Sequence, residues 1–315
     1  MSFQKEKSQT LISDMEKKIL CIYHVVDADG IFSALTVNKW CKENGFECVM
    51  IGWTYGNPDP IFEPGKYDQI FLVDIMLNPD IMQQLHNQYF DRITWLDHHI
   101  GNITVSQEKG YSDFHGVRKV GIGAVEITWE YLFKTSAPKF IRLISAYDVW
   151  NHERFPWDTE TSPLQLGLRS EKYGISVDVM ETYFDDLLID KDGIIESIIE
   201  IGLLIDGYVK KQNTNAVKSY AFPVLIKGKY RGICCFTTSF GSRLFDSVKD
   251  QYQVYVCINF RNGVPSISVY QEEGASDLNL AEFMLEHNGG GHKNAAGGTL
   301  TREQFLKLID SHILD

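Results

Sequence analysis

The sequence predicts an α/β protein of two domains, in which a parallel sheet with helices on both faces is followed by a smaller mixed α/β domain. Three observations support this fold class. The chain has 315 residues, which is longer than a usual single domain. Apolar strand-like runs alternate with helix-spaced segments in its first half, as in βαβ units. Beyond about residue 216, strand-like runs follow one another with Gly, Asn and Pro turns between them.

The first domain is predicted to begin with a strand, a loop and a helix. An apolar run ends at Val26, a polar turn follows, and helix-spaced apolar residues extend over 31–44. The same alternation continues along the chain. Further strands are predicted at 47–53, 69–74 and 92–96, and further helices near 79–88, 123–133 and 138–147. These segments predict the parallel sheet and its covering helices.

The second domain is predicted to follow a long helix. Residues 194–217 have helical periodicity, so the predicted boundaries are 1–193 for the first domain, 194–217 for the connecting helix and 218–315 for the second domain. Strand-like runs lie within 221–236, 251–260 and 265–273. Helices are predicted at 241–249, 279–287 and 302–314.

The composition is that of a globular enzyme with an acidic charge balance. The formal net charge of −12 argues against a protein that coats long nucleic acid, whereas a small or metal-bridged anionic substrate is allowed. The six cysteines form no C-x-x-C pair and are expected to be reduced core residues. We expect a cytoplasmic protein without membrane association, because there is no secretory apolar core and no run of 18 apolar residues. A homodimer is compatible with the sequence.

Acidic and imidazole side chains recur where apolar runs of the first domain end. They are His24, Asp27, Asp29, Asp74, Asp97, His98, His99 and Asp148. Side chains that follow successive strands of an α/β sheet are expected to converge at one edge. Asp74 closes an apolar run, where a carboxylate is costly unless it is paired or bound to metal. Carboxylates and imidazoles in this number would hold two divalent cations.

Each of these residues also has a purely structural interpretation. Asp27 or Asp29 alone would often be a helix N-cap. His24 alone would be a core histidine, and Asp148 alone a loop acid. Independent caps and loop acids have no reason to recur in this way, so the joint pattern favours a metal site.

Two sets of motifs carry a family resemblance. The first set is the D-x-D-G loop at 27–30, Asp74, the Asp-His-His tripeptide at 97–99 and Asp148. The second is the run Gly-Gly-Gly-His-Lys-Asn-Ala-Ala-Gly at 289–297. The first set resembles the motifs of the DHH phosphoesterase superfamily. The second is similar to the GGGH signature of the DHH-associated domain in its RecJ-like and nanoRNase-like branch.

The resemblance implies two cation sites. His24, Asp27 and Asp74 would bind one Mn²⁺ or Mg²⁺, with Mn²⁺ the expected ion. Asp29, Asp74, His98 and Asp148 would bind the other, so that Asp74 bridges the two. The family commonly places its first histidine four residues before the first aspartate, whereas His24 precedes Asp27 by three.

The resemblance also implies how substrate is held. His99 would face the scissile phosphate and Asp97 would support the histidines. The phosphate-binding residues would be Gly289, Gly290, Gly291 and His292, because successive glycines can turn several backbone N–H groups toward one anion. Arg261 resembles an arginine that family members direct at the substrate. The alternatives are a plain glycine turn before a helix and a solvated hairpin arginine.

The implied function is a metal-dependent phosphodiesterase. Its substrates would be short oligonucleotides or small nucleotides, such as linear dinucleotides and 3′,5′-bisphosphorylated adenosine. The alternative activities are those of a RecJ-like single-strand exonuclease or a cyclic-dinucleotide phosphodiesterase. The alternative outside enzymes is a nucleotide-binding regulatory module. No G-x-x-x-x-G-K-[ST] loop occurs, so ATP-driven chemistry is not expected.

Overall fold

A parallel sheet organises the first part of the chain, and a mixed sheet organises the second. The computed structural model describes residues 17–237 and 241–315. The chain divides into two units, Met1–Ile205 and Asp206–Asp315. The predicted fold class is confirmed by the topology of the two sheets. Within the described residues, none of the helices is both long and apolar enough to cross a membrane.

The first unit alternates strands and helices, as the sequence predicts. Its described strands are β1 (Lys18–His24), β2 (Glu47–Trp53), β3 (Gln69–Val73) and β4 (Ile93–Leu96). Its described α-helices are α1 (Ala28–Glu43), α2 (Pro79–Tyr89), α3 (Ile100–Lys109), α4 (Ala124–Phe133), α5 (Lys139–Asp148), α6 (Ser162–Leu168) and α7 (Val177–Leu188). Helix α8 (Ile194–Tyr220) runs from this unit into the next. Short 3₁₀ turns lie at Pro64–Lys66, Phe90–Arg92 and Lys191–Gly193, and a π-helical turn at Trp157–Thr161.

The first sheet has the strand order β2-β1-β3-β4, and every pairing is parallel. Alternate residues of β1 enter two different cores, because successive side chains of a strand point to opposite faces. Cys21 packs in the core that contains α1, whereas Ile22 packs in the core that contains α2. Both faces of the central strand are therefore covered, which explains its nearly continuous apolar sequence.

The second unit is built on a mixed sheet. Its described strands are β5 (Phe222–Ile226), β6 (Tyr230–Phe236), β7 (Val254–Arg261), β8 (Val264–Tyr270), β9 (Gly290–His292), β10 (Ala295–Thr299) and β11 (Ile313–Leu314). Its further helices are α9 (Leu280–Leu285), α10 (Arg302–Ser311) and a 3₁₀ segment, Ser242–Val248. The strand order is β11-β5-β6-β7-β8-β10-β9.

The first and the last predicted helix have clearly different bounds in the structure. Helix α1 begins at Ala28 rather than residue 31, because the Asp27 side chain caps it and accepts a hydrogen bond from the Gly30 N–H. The last predicted helix stops at Ser311, where His312 adopts a left-handed conformation with φ of 57°. The following residues pair in parallel with β5 as strand β11.

Candidate metal centre

The ends of β1, β3, β4 and α5 bring the predicted acids and histidines of the first unit together. Their potential ligand atoms form three overlapping groups, in each of which the atoms lie within 4.8 Å of one another. The groups are His24, Asp27 and Asp74; Asp29, His98 and Asp148; and Asp74, Asp97, His98 and His99. All eight residues that the sequence singled out in this unit therefore lie in one cluster.

The two carboxylate oxygens of Asp27 have different partners, one in helix α1 and one in the cluster. Its Oδ1 accepts from the Gly30 N–H at 3.0 Å, which is the N-cap interaction. Its Oδ2 lies 2.7 Å from Nδ1 of His24. Gly30 is required here because a Cβ would lie 2.0 Å from the carbonyl oxygen of His24. Helix α1 can thus pack directly on the end of β1 and hold Asp27 against His24.

Asp29 lies in the first turn of α1 and reaches across to the start of α4. Its carboxylate accepts from the backbone N–H groups of Ala124 at 2.6 Å and Val125 at 2.9 Å. A helix N-terminus favours such a negative charge. Asp27 is therefore the cap of helix α1, whereas Asp29 lies within its first turn.

Asp74 lies between the two groups that contain His24 and His98. It is 1% exposed, and its φ of 60° is in the left-handed region. Its Oδ2 is 3.6 Å from Nδ1 of His24, and its Oδ1 is 3.3 Å from Nε2 of His98. The two oxygens of one carboxylate thus face two different imidazoles.

Several of these buried atoms lack an aligned hydrogen-bond partner. They are both carboxylate oxygens of Asp74, Nδ1 of His24 and Nε2 of His98. A buried polar atom without a partner costs about 1–3 kcal/mol. Divalent cations would supply that partner, and mixed carboxylate and imidazole donors suit them. The residues present therefore fit a divalent metal site.

Asp148 completes the second group from the last residue of α5. Its Oδ2 lies 3.0 Å from Nε2 of His98, and Oδ2 of Asp29 lies 3.6 Å from the same nitrogen. His98 is therefore surrounded by carboxylates from three elements, since Asp74 approaches it as well.

The electrostatics of the cluster favour positive charge. Burial lowers the pKa of His24, but the carboxylates of Asp27 and Asp74 outweigh it and raise this pKa to about 10. Burial likewise lowers the pKa of His98, and Asp148 and Asp74 raise it to about 11. Burial raises the pKa of Asp74 itself. In the absence of cations, protons on the imidazoles thus balance the carboxylates.

Asp97 has a different environment from the other acids. Its Oδ1 accepts from the backbone N–H groups of His98 at 2.7 Å and His99 at 3.1 Å, and lies 2.8 Å from Nδ1 of His99. Its Oδ2 accepts from Nδ2 of Asn102 at 2.7 Å. Burial raises the pKa of Asp97, but His99 and Asn102 lower it below its usual value. This carboxylate is fully engaged in orienting the Asp-His-His turn.

Three polar residues of this network, Asn102, Tyr55 and Thr54, were not identified from the sequence. Asn102 also donates to the Tyr55 hydroxyl at 2.9 Å, and the Met76 N–H donates to the same hydroxyl at 3.1 Å. Thr54 Oγ1 lies 3.3 Å from Nε2 of His24. The available signal was the position of Thr54 and Tyr55 directly after β2, at the same edge of the sheet as the other strand ends. Asn102 lies in α3, a helix that the sequence did not predict.

The glycine run of the second unit forms an edge strand rather than a turn before a helix. Gly290–His292 pairs antiparallel with β10. A Cβ at Gly289 would lie 2.0 Å from the carbonyl oxygen of Gly297, and one at Gly291 would lie 2.6 Å from that of Ala295. These two glycines are required by close packing of the backbone.

Gly290 differs from its neighbours. A Cβ there would meet nothing within 4 Å, and the residue does not have a positive φ. His292 beside it is exposed. Arg261 is the last residue of β7, and its side chain lies outside the described part of the structure. Neither packing nor backbone conformation thus explains why residue 290 is glycine.

Solved structures of similar fold are known for this chain, at low sequence identity. No protein-family model and no curated protein matches it. A solved pGpG-specific phosphodiesterase, PggH from Vibrio cholerae, has a TM-score of 0.53 at 13% identity, covering 94% of this chain and 97% of that one. Exonuclease RecJ bound to manganese has a TM-score of 0.48 at 13% identity, with 93% and 88% covered. An exopolyphosphatase-related protein from Bacteroides fragilis has a TM-score of 0.47 at 14% identity, with 94% and 91% covered. The similarity to PggH, whose TM-score is above 0.5, shows that the two chains share a fold.

Proposed function

We propose that the chain is a metal-dependent phosphodiesterase that cleaves short oligonucleotides or small nucleotides. The observation that carries this proposal is the environment of Asp74. Its two buried oxygens lack aligned donors, and each faces a histidine of a different ligand group. Such an arrangement suits a carboxylate that bridges two cations, which is the requirement of two-metal phosphoryl chemistry.

The proposed ligands follow from the groups in the structure. His24, Asp27 and Asp74 would hold one cation, and Asp29, Asp74, His98 and Asp148 the other. Each set includes an imidazole nitrogen, which favours Mn²⁺ over the more strictly oxygen-bound Mg²⁺. Bound there, the cations would lower the pKa of a water and neutralise charge on phosphoryl oxygens.

His99 is proposed to contact the scissile phosphate. Its Nδ1 is held by Asp97, so Nε2 is the nitrogen left for a substrate oxygen. The hydrogen bond to Asp97 raises the pKa of His99, which favours a protonated ring that donates to an anion. Asp97 and Asn102 would fix the orientation of that ring.

The substrate is proposed to be a short nucleotide. The net charge of −12 disfavours a long polyanion. The fold similarity to a protein described as a pGpG-specific phosphodiesterase supports a linear dinucleotide. In the second unit, Gly290 leaves room for close approach of a phosphate to the backbone. Gly289, Gly291, His292 and Arg261 are proposed to take part in the same contact.

A turnover panel tests the proposal. The Mn²⁺-loaded protein is assayed on pGpG, 3′,5′-bisphosphorylated adenosine, a cyclic dinucleotide and a labelled single-stranded 20-mer. We expect the fastest mononucleotide release from the linear dinucleotide or the bisphosphate. Processive cleavage of the 20-mer would instead support a RecJ-like exonuclease, and preference for the cyclic substrate a cyclic-dinucleotide phosphodiesterase. Tight binding without any turnover would contradict the proposal and support a regulatory module.

A further inference from the structure

Four aromatic rings stack on one another around the end of α5, where Asp148 lies. The Trp157 ring is central: its centroid lies 5.4 Å from that of Tyr147 at an interplanar angle of 2°, and 5.3 Å from that of Trp150 at 24°. The His152 ring lies 3.8 Å from Trp157 at 9°. Trp150 and His152 are also stacked, at 5.9 Å and 19°. We call these four residues the ring stack.

Trp150 occupies a backbone position that normally belongs to glycine. Its φ is 52°, and the end of α5 has the hydrogen bonds of a Schellman motif. The Asn151 N–H donates to the carbonyl of Ala146 at 2.9 Å, and the Trp150 N–H donates to that of Tyr147 at 3.1 Å. Glycine avoids the steric strain of this left-handed conformation, and a bulky side chain does not.

Burial in the hydrophobic core does not explain a tryptophan at position 150 either. Its side chain is 64% exposed, which makes it one of the more exposed large apolar residues of the described chain. A strained backbone position therefore carries a large ring that is left in solvent. Residues with a strained backbone conformation are often found at functional sites.

The ring stack lies next to the candidate metal centre. Asp148, whose Oδ2 is 3.0 Å from Nε2 of His98, is two residues from Trp150. Two residues of chain span at most about 7 Å between Cα atoms. That separation is on the scale of one nucleotide, so a base can reach these rings while its phosphate lies at the cluster.

The chemistry of this surface suits a base better than a phosphate. Arg154, which lies between His152 and Trp157 in the sequence, places both terminal guanidinium nitrogens on Glu126, at 2.6 and 2.7 Å. The exposed Trp150 ring presents flat aromatic surface to solvent. Every nucleobase has a π-face that stacks on such rings, with little dependence on sequence.

We propose that Tyr147, Trp150, His152 and Trp157 form a stacking site for a nucleobase of the substrate. The inference rests on the proposed function, because it assigns the base of the nucleotide whose phosphate the metal centre holds. It makes Trp150 a specificity-determining residue that recognises the presence of a base rather than its identity.

The kinetic test uses a substitution that should not harm the fold. Trp150→Gly removes the ring and installs the residue that the left-handed position prefers, so its Tm should be no lower than that of the wild type. For Mn²⁺-dependent cleavage of a dinucleotide, we expect the KM of Trp150→Gly to rise about 5- to 150-fold, the range for loss of one base–aromatic stack. Trp150→Phe should recover most of the affinity. A dinucleotide analogue with abasic sugars should show no difference between Trp150→Gly and the wild type.

A matched control is available at the end of α4. Lys134 is also a left-handed residue after a helix, with φ of 56°. Lys134→Gly makes the same backbone change away from the rings and should leave KM unchanged. Equal losses on the base-bearing and abasic substrates in Trp150→Gly, or no loss on either, would overturn the stacking site.

A binding readout separates this inference from the proposed function. The six tryptophans are labelled with 5-fluorotryptophan, and the Trp150 and Trp157 signals are assigned from Phe variants. Adding GMP to the full chain should shift both ¹⁹F signals, whereas ribose 5-phosphate should not. Shifts without any turnover would support the stacking site and contradict the phosphodiesterase. Turnover with no GMP-specific shift would contradict the stacking site and leave the phosphodiesterase supported.

Discussion

Asp74 combines two unfavourable features in a single residue. Its backbone is left-handed, which costs about 1–3 kcal/mol for a residue other than glycine. Its carboxylate is buried without aligned donors. A bound cation would satisfy both oxygens, which gives a reason for an acid at this position.

Replacing Asp74 tests that reasoning. Asp74→Asn keeps the size of the side chain and the tolerance of the left-handed region, but removes the bridging charge. We expect kcat to fall by about 10³-fold, because several kcal/mol of transition-state stabilisation depend on the cations. The rise in Tm on adding Mn²⁺ should also disappear. Steady-state kinetics and thermal melts with and without Mn²⁺ measure both effects.

The control for this variant is an exposed acid. The Asp91 side chain is 96% exposed, and Asp91→Asn makes the same chemical change away from the cluster. It should keep both kcat and the Mn²⁺-dependent rise in Tm. Wild-type turnover in Asp74→Asn would argue against a two-cation site.

Cation binding should release protons. The pKa of His24 is raised to about 10 and that of His98 to about 11, so both imidazoles are protonated at pH 7 in the metal-free protein. Cations bind only the neutral imidazole, and binding therefore expels these protons. Apparent affinity for Mn²⁺ should rise with pH between about 6 and 8.

Calorimetry can count these protons. Titrations of Mn²⁺ at pH 7 in two buffers of different ionisation enthalpy should give different heats, corresponding to release of at least one proton per chain. Identical heats in both buffers would mean that Mn²⁺ binding does not remove protons from His24 and His98.

At the level of secondary structure, the first turn of α4 fixes Asp29. Gly123 precedes this helix, and a Cβ there would lie 2.8 Å from Oδ1 of Asp29 and 2.8 Å from Cα of Ser145. Gly123→Ala should lower the free energy of unfolding by about 1–3 kcal/mol through overpacking. It should also weaken Mn²⁺ binding, because Asp29 must move. Chemical denaturation and calorimetry measure the two effects.

A second glycine gives the opposite expectation. Gly207 lies within α8, and a Cβ there would meet nothing within 4 Å. Gly207→Ala should stabilise the protein by about 0.5–1 kcal/mol, because alanine is the better helix former. Equal effects of the two substitutions would show that Gly123 is not constrained by Asp29.

Substitutions at Gly290 and Gly291 of β9 distinguish a glycine required for packing from one required for ligand approach. Gly291 has a φ of 144° and a close neighbour in the carbonyl of Ala295, so Gly291→Ala should cost about 1–3 kcal/mol of stability. Gly290 has neither constraint. Gly290→Ala should change stability by less than about 0.5 kcal/mol and raise KM for the nucleotide. Unchanged KM in a folded Gly290→Ala protein would remove this strand from the substrate site.

Strands β1, β3 and β4 could be predicted from sequence because their burial makes them continuous apolar runs. Helix α3 could not be predicted. Its sequence, IGNITVSQEK, contains β-branched residues and no clear apolar stripe, so its local preference does not favour a helix. Strand β9 was missed for a related reason. Its glycines have low strand propensity and form a strand only through backbone pairing with β10.

The candidate site likewise contains residues that could be predicted from the sequence and residues that could not. His24, Asp74 and the Asp-His-His turn could be expected together because parallel strands end at one edge of a sheet, a rule that needs no contact information. Asp148 instead ends helix α5. The Asn102–Tyr55 hydrogen bond joins residues 47 positions apart. The sequence around either residue carries no sign of the other, so this support could be found only from coordinates.

For the molecule as a whole, the acidic charge balance disfavours binding of a long nucleic acid. The chain has 42 acidic and 30 basic residues, and long nucleic acid binds through release of counterions by many basic contacts. The proposed site would hold one or two phosphates. A plot of the logarithm of kcat/KM against the logarithm of salt concentration should therefore have a slope of about −1, since each phosphate contact to a single strand contributes about −0.7.

This prediction is checked with a dinucleotide and a 20-mer between about 50 and 200 mM NaCl, the range over which multiple contacts change affinity strongly. Saturating Mn²⁺ keeps the metal centre loaded, so that the salt acts on substrate binding alone. The dinucleotide should show the shallow slope, and the 20-mer should gain no affinity from its additional phosphates, because an acidic surface repels them. A steep slope for the 20-mer would reveal a basic track for longer strands and would favour exonuclease activity over cleavage of short nucleotides.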